Sequence, residues 1–319
     1  MTPEERIIDL LRGKSEHVSG EEISVRLGIS RQALWKHIQQ LKDAGYDIQA
    51  VPHLGYTLIS CPDRLFPQEV KHGLNTKTIG RKIYYYDSLS STMDVAIKLG
   101  MDNHPEGGVV LAEAQNKGRG RLGRSWASPK YKGICASVIL RPKILPSKTS
   151  ILTLLIGVSI CQAVEELTGI SAQIKWPNDI FIKNKKLAGI LTELSAEADL
   201  VHFLVVGFGI NVNDTPANVA DAICLKSCTN TAVERVLLLQ ECLRKIECNY
   251  LLFQKGDFKS IIDKWRDINI TLGKRVKVCL KGKQIQGQAL DIDDDGGLLV
   301  RRDSGITEKI MAGDIIHCR

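Results

Sequence analysis

Residues 115–126 read Q-N-K-G-R-G-R-L-G-R-S-W, and residues 175–179 read K-W-P-N-D. The first stretch decides between two kinds of fold. Gly118, Gly120 and Gly123 satisfy G-x-G-x-x-G, which marks a dinucleotide site when it follows a strand and opens a helix. G-V-V-L-A-E-A (108–114) reads as the strand. The continuation S-W-A-S-P-K-Y-K-G (125–133) is no helix, because Pro129 lacks a donor and Gly133 follows soon after. About twenty positions on, where an acidic residue would grip a ribose, R-P-K occurs instead. A G-x-x-x-x-G-K-[ST] phosphate loop is also absent. What remains is three glycines and three arginines within seven positions. Glycines let the backbone approach a ligand, and arginines bring forked donors for phosphate and carboxylate. With Lys175 fixed beside a rigid Trp-Pro step, the pair suggests a site for a nucleotide and an acid. A solvated basic loop is the alternative reading of the first stretch.

The surrounding chain has 319 residues, 44% hydrophobic and 25% charged. That length predicts two or three domains in a globular protein. The most apolar run, I-L-T-L-L-I-G-V-S-I-C-Q-A-V (151–164), reads as a buried core helix rather than a membrane span. The start, M-T-P-E-E-R, has neither the cationic opening nor the apolar run of a secretory signal. Nine cysteines lack the usual zinc spacing, which predicts reduced thiols in a cytosolic protein. Net charge is +7, but residues 1–65 carry 8 Lys/Arg against 9 Asp/Glu. Bulk charge therefore carries no argument for nucleic-acid binding by that segment.

Three segments are predicted: 1–62, 66–270 and 271–319. In the first, T-P-E-E forms a capping box for a helix carrying Ile7, Ile8, Leu10 and Leu11. S-G-E-E (19–22) starts a second helix, Gly28 turns the chain, and Ser30 caps a third with Leu34, Ile38 and Leu41 on one face. A hairpin around Pro-His-Leu-Gly follows. This is the winged helix-turn-helix plan, in which a recognition helix reads the major groove. Ser30, Arg31, Gln32, Trp35 and Lys36 are the candidate DNA contacts, Arg31 and Gln32 being suited to base or phosphate. The alternative is a protein-interaction module without DNA contact, which the near-neutral charge favours.

In the second segment strands are predicted at 82–86, 108–114, 134–140, 173–176, 180–182, 187–194 and 202–210. Helices are predicted at 91–100, 150–168, 231–253 and 257–267. The order is not a steady βαβα alternation, so a mixed or antiparallel sheet backed by helices is expected. The third segment is short strands between Gly turns, a small β-barrel. D-I-D-D-D-G (291–296) resembles the start of a calcium loop, but its twelfth position is Arg302 where a bidentate Glu is needed. It is read as an acidic turn.

With these motifs placed, the chain resembles the bifunctional biotin–protein ligase and biotin operon repressor family over almost its whole length. The resemblance rests on S-S-T-M-D (90–94), A-E-A-Q-N-K-G-R-G-R-L-G-R-S-W (112–126), K-W-P-N-D, K-L-A-G-I-L-T-E (186–193) and G-F-G-I-N-V-N (207–213). It implies an α+β architecture: an N-terminal winged helix-turn-helix, a central mixed-sheet α/β ligase domain and a C-terminal SH3-like barrel. It implies a two-step reaction, in which biotin and MgATP give biotinoyl-5′-adenylate and a lysine of biotin carboxyl carrier protein then displaces AMP. It also implies operator binding by a homodimer when adenylate is bound, a cytoplasmic location and no membrane partner. The alternatives are a ligase whose winged helix is a docking or dimerisation module, and a ligand-responsive regulator without catalysis.

By the same resemblance, Ser91, Thr92 and Gln115 hold the biotin ring and its carboxylate region. Arg119, Gly120 and Arg121 order over biotin and adenylate, shielding a mixed anhydride from water. Lys175 stands at the acyl–phosphate junction, where a cation stabilises developing charge. Asp179 and Lys186 orient or deprotonate the incoming lysine, although Asp179 could equally fix the Pro-Asn turn. Trp126, Asn178, Gly209 and Asn211 join Arg121 and Lys186 around the adenylate. The chain departs from some relatives at Met93, where they have Asn, and a thioether cannot make an amide's hydrogen bonds. No covalent nucleophile is required of any cysteine.

Overall fold

The computed structural model describes residues 2–13, 16–197, 200–217, 219–280 and 283–317. The chain forms two compact units, Met1–Arg64 and Leu65–Arg319.

In the first unit, the Thr2 hydroxyl accepts the Glu5 N–H and the Glu5 carboxylate accepts the Thr2 N–H, closing the expected box on α1 (Pro3–Leu11). The Ser19 hydroxyl caps α2 (Gly20–Leu27), and Gly28 ends that helix at φ 68°. The Ser30 hydroxyl caps α3 (Arg31–Asp43). Ile7, Ile8, Leu11, Ile23, Leu34, Ile38 and Leu41 meet in the core. Arg31, Gln32 and Lys36 are exposed on α3, as is Trp35 at 58%. Strands β1 (Asp47–Val51) and β2 (Gly55–Ser60) pair as the antiparallel wing. Val18 and Tyr56 exchange both backbone hydrogen bonds, each 2.9 Å, tying the wing to the turn before α2. That close approach requires Gly55, whose φ is 120°.

The second unit opens with α4 (Pro67–Lys71), a short helix that the sequence pattern did not predict. It continues through β3 (Ile83–Tyr86), α5 (Thr92–Met101), β4 (Val109–Ala112), β5 (Gly133–Leu140), α6 (Thr149–Thr168), β6 (Gln173–Lys175), β7 (Asp179–Ile182), β8 (Lys185–Ala196) and β9 (Val201–Asn211). Helices α7 (Leu225–Thr229), α8 (Arg235–Gln254) and α9 (Phe258–Ile268) follow. Their order is the mixed one expected: β3-β4-β5-β9-β8-β7-β6, with β3 and β4 parallel and every other pair antiparallel.

One row of directly opposed residues crosses all seven strands: Tyr86, Ala112, Cys135, Gly209, Gly189, Asp179 and Lys175. Opposed residues share a face of the sheet, so the row brings four separate motifs onto one surface. Helix α5 packs on this side through Met93 and Ala96 against Val110, Ile139, Phe203 and Val205. Helix α6 spans twenty residues, longer than the apolar run that predicted it. It is long and apolar enough to cross a bilayer, yet residues 154–161 are buried without interruption. A helix apolar on every side and packed on every side is a core helix.

The last strands, β10 (Arg275–Leu280), β11 (Lys283–Ile292), β12 (Leu298–Arg301), β13 (Thr307–Ile310) and β14 (Asp314–His317), form an antiparallel sheet in the order β13-β12-β11-β10-β14. This is the small all-β element expected. Its acidic turn is internally neutralised, since Lys148 and Lys309 reach Asp295 at 2.8 and 2.5 Å. These two ammonium groups hold the Asp295 carboxyl below the usual carboxylate range.

A Cβ at residue 55 would lie 2.1 Å from the Val18 carbonyl oxygen. Gly55→Ala is therefore expected to destabilise the N-terminal unit by roughly 2–4 kcal/mol, combining a positive-φ penalty with a backbone clash. Hydrogen exchange should show early loss of protection at Val18 and Tyr56 while the amides of β9 stay protected. Unchanged protection at both would refute the close-approach argument.

Candidate active site

The central residues of the cross-strand row floor a cavity. Its walls come from Ser91, Thr92 and Met93 at the start of α5, and from Gln115, Arg119, Gly120, Arg121, Arg124, Ser125 and Trp126 in the loop between β4 and β5. Asn178 and Asp179, then Lys186, Gly189, Ile190 and Leu191, then Gly207, Phe208 and Gly209 complete it.

The apex is built around the first turn of α5. The Gln115 amide oxygen accepts the Thr92 N–H at 2.8 Å and the Thr92 hydroxyl at 3.2 Å. The Ser137 hydroxyl donates to Thr92 Oγ1 at 2.8 Å, so a chain of donors fixes the amide's orientation. Because Gln115 caps the helix, Ser91 at the N-cap position makes no side-chain capping bond. Its hydroxyl is buried without a partner among the described residues. A buried orphan of this kind is costly unless a ligand satisfies it. Met93 forms the neighbouring wall, and a Cβ on Gly207 would lie 2.5 Å from its sulfur. The thioether thus fills space at this position and adds no hydrogen bond there.

The floor is flat by necessity. The Trp126 indole lies so close to Gly209 that a Cβ there would sit 2.3 Å from the ring, and one on Gly189 would sit 3.3 Å from it. The Lys186 ammonium stands 5.8 Å from the same ring's centroid and 2.7 Å from the Asp179 carboxylate. The Trp126 indole nitrogen is the second buried donor here without a partner.

Cations line one side. Arg119 pairs with Asp94 at 2.8 Å and Glu193 at 3.2 Å. Arg121 donates to Asn178 Oδ1 at 3.1 Å and to the Gly313 carbonyl at 3.3 Å. Asn178 in turn donates to the Ile190 carbonyl at 2.7 Å, so its side chain ties the Pro-Asn turn to β8. The loop closes on itself, with Trp126 N–H donating to the Gly118 carbonyl at 2.8 Å and Gly120 N–H to the Arg124 carbonyl at 2.7 Å. A Cβ at residue 118 would lie 2.3 Å from the Trp126 carbonyl oxygen.

Of the ligase residues singled out in the sequence, Lys175 and Asn211 stand outside the cavity lining. Lys175 is opposite Asp179 in the row, its ammonium 5.6 Å from the Phe181 ring centroid. Asn211 is buried at the end of β9, opposite Gly133. Four further residues escaped the sequence reading. Asp94 and Glu193 lay inside quoted motifs, where a carboxylate beside an arginine-rich loop was the available signal. Ser137 carried none, while Arg124, counted among the loop's three arginines, was given no role of its own. Burial pushes the Cys135 thiol up to about 11, against hydrogen bonds from Ser128 and Gln115, so it is a poor nucleophile. Among the described residues, no three His, Cys, Asp or Glu gather as a metal site.

Residues 85–211 match the biotin/lipoate A/B protein ligase family. Residues 4–57 match a helix-turn-helix domain, and 271–318 match the biotin protein ligase C-terminal domain. The bifunctional ligase/repressor BirA of Bacillus subtilis (strain 168) is 40% identical over 94% of both chains. That of Escherichia coli (strain K12) is 30% identical over 97% of this chain and 95% of its own. Among solved structures, the biotin protein ligase from Aquifex aeolicus in complex with biotin and ATP superposes with a TM-score of 0.65 at 32% identity, covering 75% of this chain and 99% of that one. The chain belongs to the bifunctional biotin–protein ligase and repressor family.

Proposed function

We propose that this cavity joins biotin to ATP and passes the acyl group to a carrier-protein lysine. One observation carries the reading: motifs scattered from Ser91 to Gly209 converge on a single cavity that contains buried, unsatisfied donors at both its apex and its floor. A ureido ring offers acceptor and donors to Ser91 and the fixed Gln115 amide. A planar base and an α-phosphate suit the Trp126 indole and the neighbouring cations. A biotin carboxylate oxygen attacks the α-phosphorus, and the bond to the β-phosphate breaks to release pyrophosphate. The carrier amine then attacks the acyl carbon, loses its proton, and AMP leaves. Both steps need positive charge at the junction and little water.

Lys175 is assigned to that junction. It stands directly opposite Asp179, about 5 Å away by strand geometry, on the face that holds the cavity. Its long stem can carry the ammonium the remaining distance. Asp179 and Lys186 are assigned to the incoming amine, and Arg119 and Arg121 to the anionic ligand. Asn211 is assigned to the adenylate side. Mg2+ is taken to arrive with the ATP phosphates, which commonly supply most of its ligands.

The regulatory half of the reading rests on the exposed start of α3 and on the B. subtilis and E. coli relatives. In it, Ser30, Arg31, Gln32, Trp35 and Lys36 face operator DNA, and adenylate favours the homodimer. The division into 1–62, 66–270 and 271–319, and a cytoplasmic location, belong to the same proposal. One observation favours the docking alternative: Arg31 is already paired with Glu21 at 2.9 Å.

Lys175→Ala should lower single-turnover adenylate formation by about two to three orders of magnitude, the scale for losing one such donor. Near parental synthesis would remove Lys175 from the junction. Arg121→Gly should let the intermediate escape, read as biotinylation of exposed lysines on bystander proteins. A variant that releases no more adenylate than its parent would count against the lid role. Removing residues 1–62 should abolish operator binding and leave at least partial ligation. With saturating adenylate, the full chain should prefer inverted-repeat DNA over random duplex at moderate salt. Equal binding to both would leave the docking reading in place.

A further inference from the structure

The Gly-Arg loop leaves the sheet just after β4 and returns at Gly133, the first residue of β5. Between these two roots lies a fully buried ion pair that the chemistry above does not use. Arg235, the first residue of α8, donates from Nη1 to Glu113 Oε2 at 2.7 Å and to the Gly133 carbonyl at 3.0 Å. Both side chains have no solvent exposure. Glu113 Oε1 accepts the backbone N–H of Leu65 at 2.9 Å. One guanidinium nitrogen therefore grips the outgoing root through Glu113 and the incoming root through Gly133. Gln115 is two residues from this staple.

A buried charge pair adds little net stability, since desolvation consumes most of its attraction. Its distinctive product is fixed geometry, because each partner is pinned by directional, charge-assisted bonds. The loop itself is largely exposed from Arg119 to Ser125. A lid of this kind holds its ligand only as well as its roots are held. We propose that Glu113 and Arg235 are positioning residues that fix both roots of the lid, and so set how long biotinoyl-adenylate is retained before transfer. This deepens the ligase reading above and rests on it.

The test uses the full-length chain with biotin, ATP and carrier protein. Adenylate released into solution is measured against biotin transferred to the carrier. The double variant Glu113→Gln/Arg235→Met removes both charges at once, so no uncompensated buried charge remains. Released adenylate relative to transferred biotin should rise by roughly ten- to a hundredfold, the factor set by losing one charge-assisted hydrogen bond. Arg235→Lys keeps the charge but places a compact ammonium on a shorter stem, and should give an intermediate rise. Ile262→Ala, a cavity in the buried face of α9, serves as a control of matched thermal destabilisation. It should leave the ratio unchanged. A folded double variant, or a folded Arg235→Lys, that retains adenylate as the parent does would overturn the proposal. So would an equal rise in the control. If the parent itself makes no biotinoyl-adenylate, the ligase reading fails first.

Discussion

The cross-strand row from Tyr86 to Lys175 is the constraint on which the site depends. At its centre, Gly209 and Gly189 are opposed, and the absence of two side chains makes a shelf wide enough for an indole. At its end, Asp179 and Lys175 place opposite charges side by side. Neighbouring strands are about 4.8 Å apart, so the charged end lies within one long side chain of the shelf. A one-residue slip of β8 against β9 would turn Gly189 to the opposite face and put the side chain of Ala188 or Ile190 under Trp126. Register, more than any single residue, assembles the site.

That assembly explains why one of the loop's arginines, Arg119, is engaged by acids from two other motifs. Arg119 is bracketed by Asp94 of α5 and Glu193 of β8. Such partners orient a guanidinium at modest energetic gain when half-exposed. An anion entering the candidate cavity would have to compete with these carboxylates for the same donors.

Much of this was legible in the sequence because the signals were local. Capping residues Thr2, Ser19 and Ser30 marked three helix starts, and the strand ranges read in the central segment lie within a few residues of those observed. The glycine motifs announced close approach before there was a partner to approach. What the sequence did not reveal depends on distant pairing. Ser137 matters only because β5 lies beside α5, and Asn178 is a clamp only because β8 passes beneath it. α4 is too short to show a helical period. Lys175 shows the limit from the other side, since its motif marks it while its ammonium rests over Phe181. A long flexible stem lets the ammonium move with no change in the backbone, so the motif fixes the root and not the charge.

The four tryptophans occupy sharply different surroundings. Trp35 stands exposed on α3, Trp126 lines the cavity with its indole nitrogen unpartnered, and Trp176 and Trp265 are buried in the core of the second unit. Indole emission responds to polarity and to nearby charge. The protein therefore carries its own optical probes: one at the candidate DNA face, one in the candidate ligand cavity, and two in the core of the second unit.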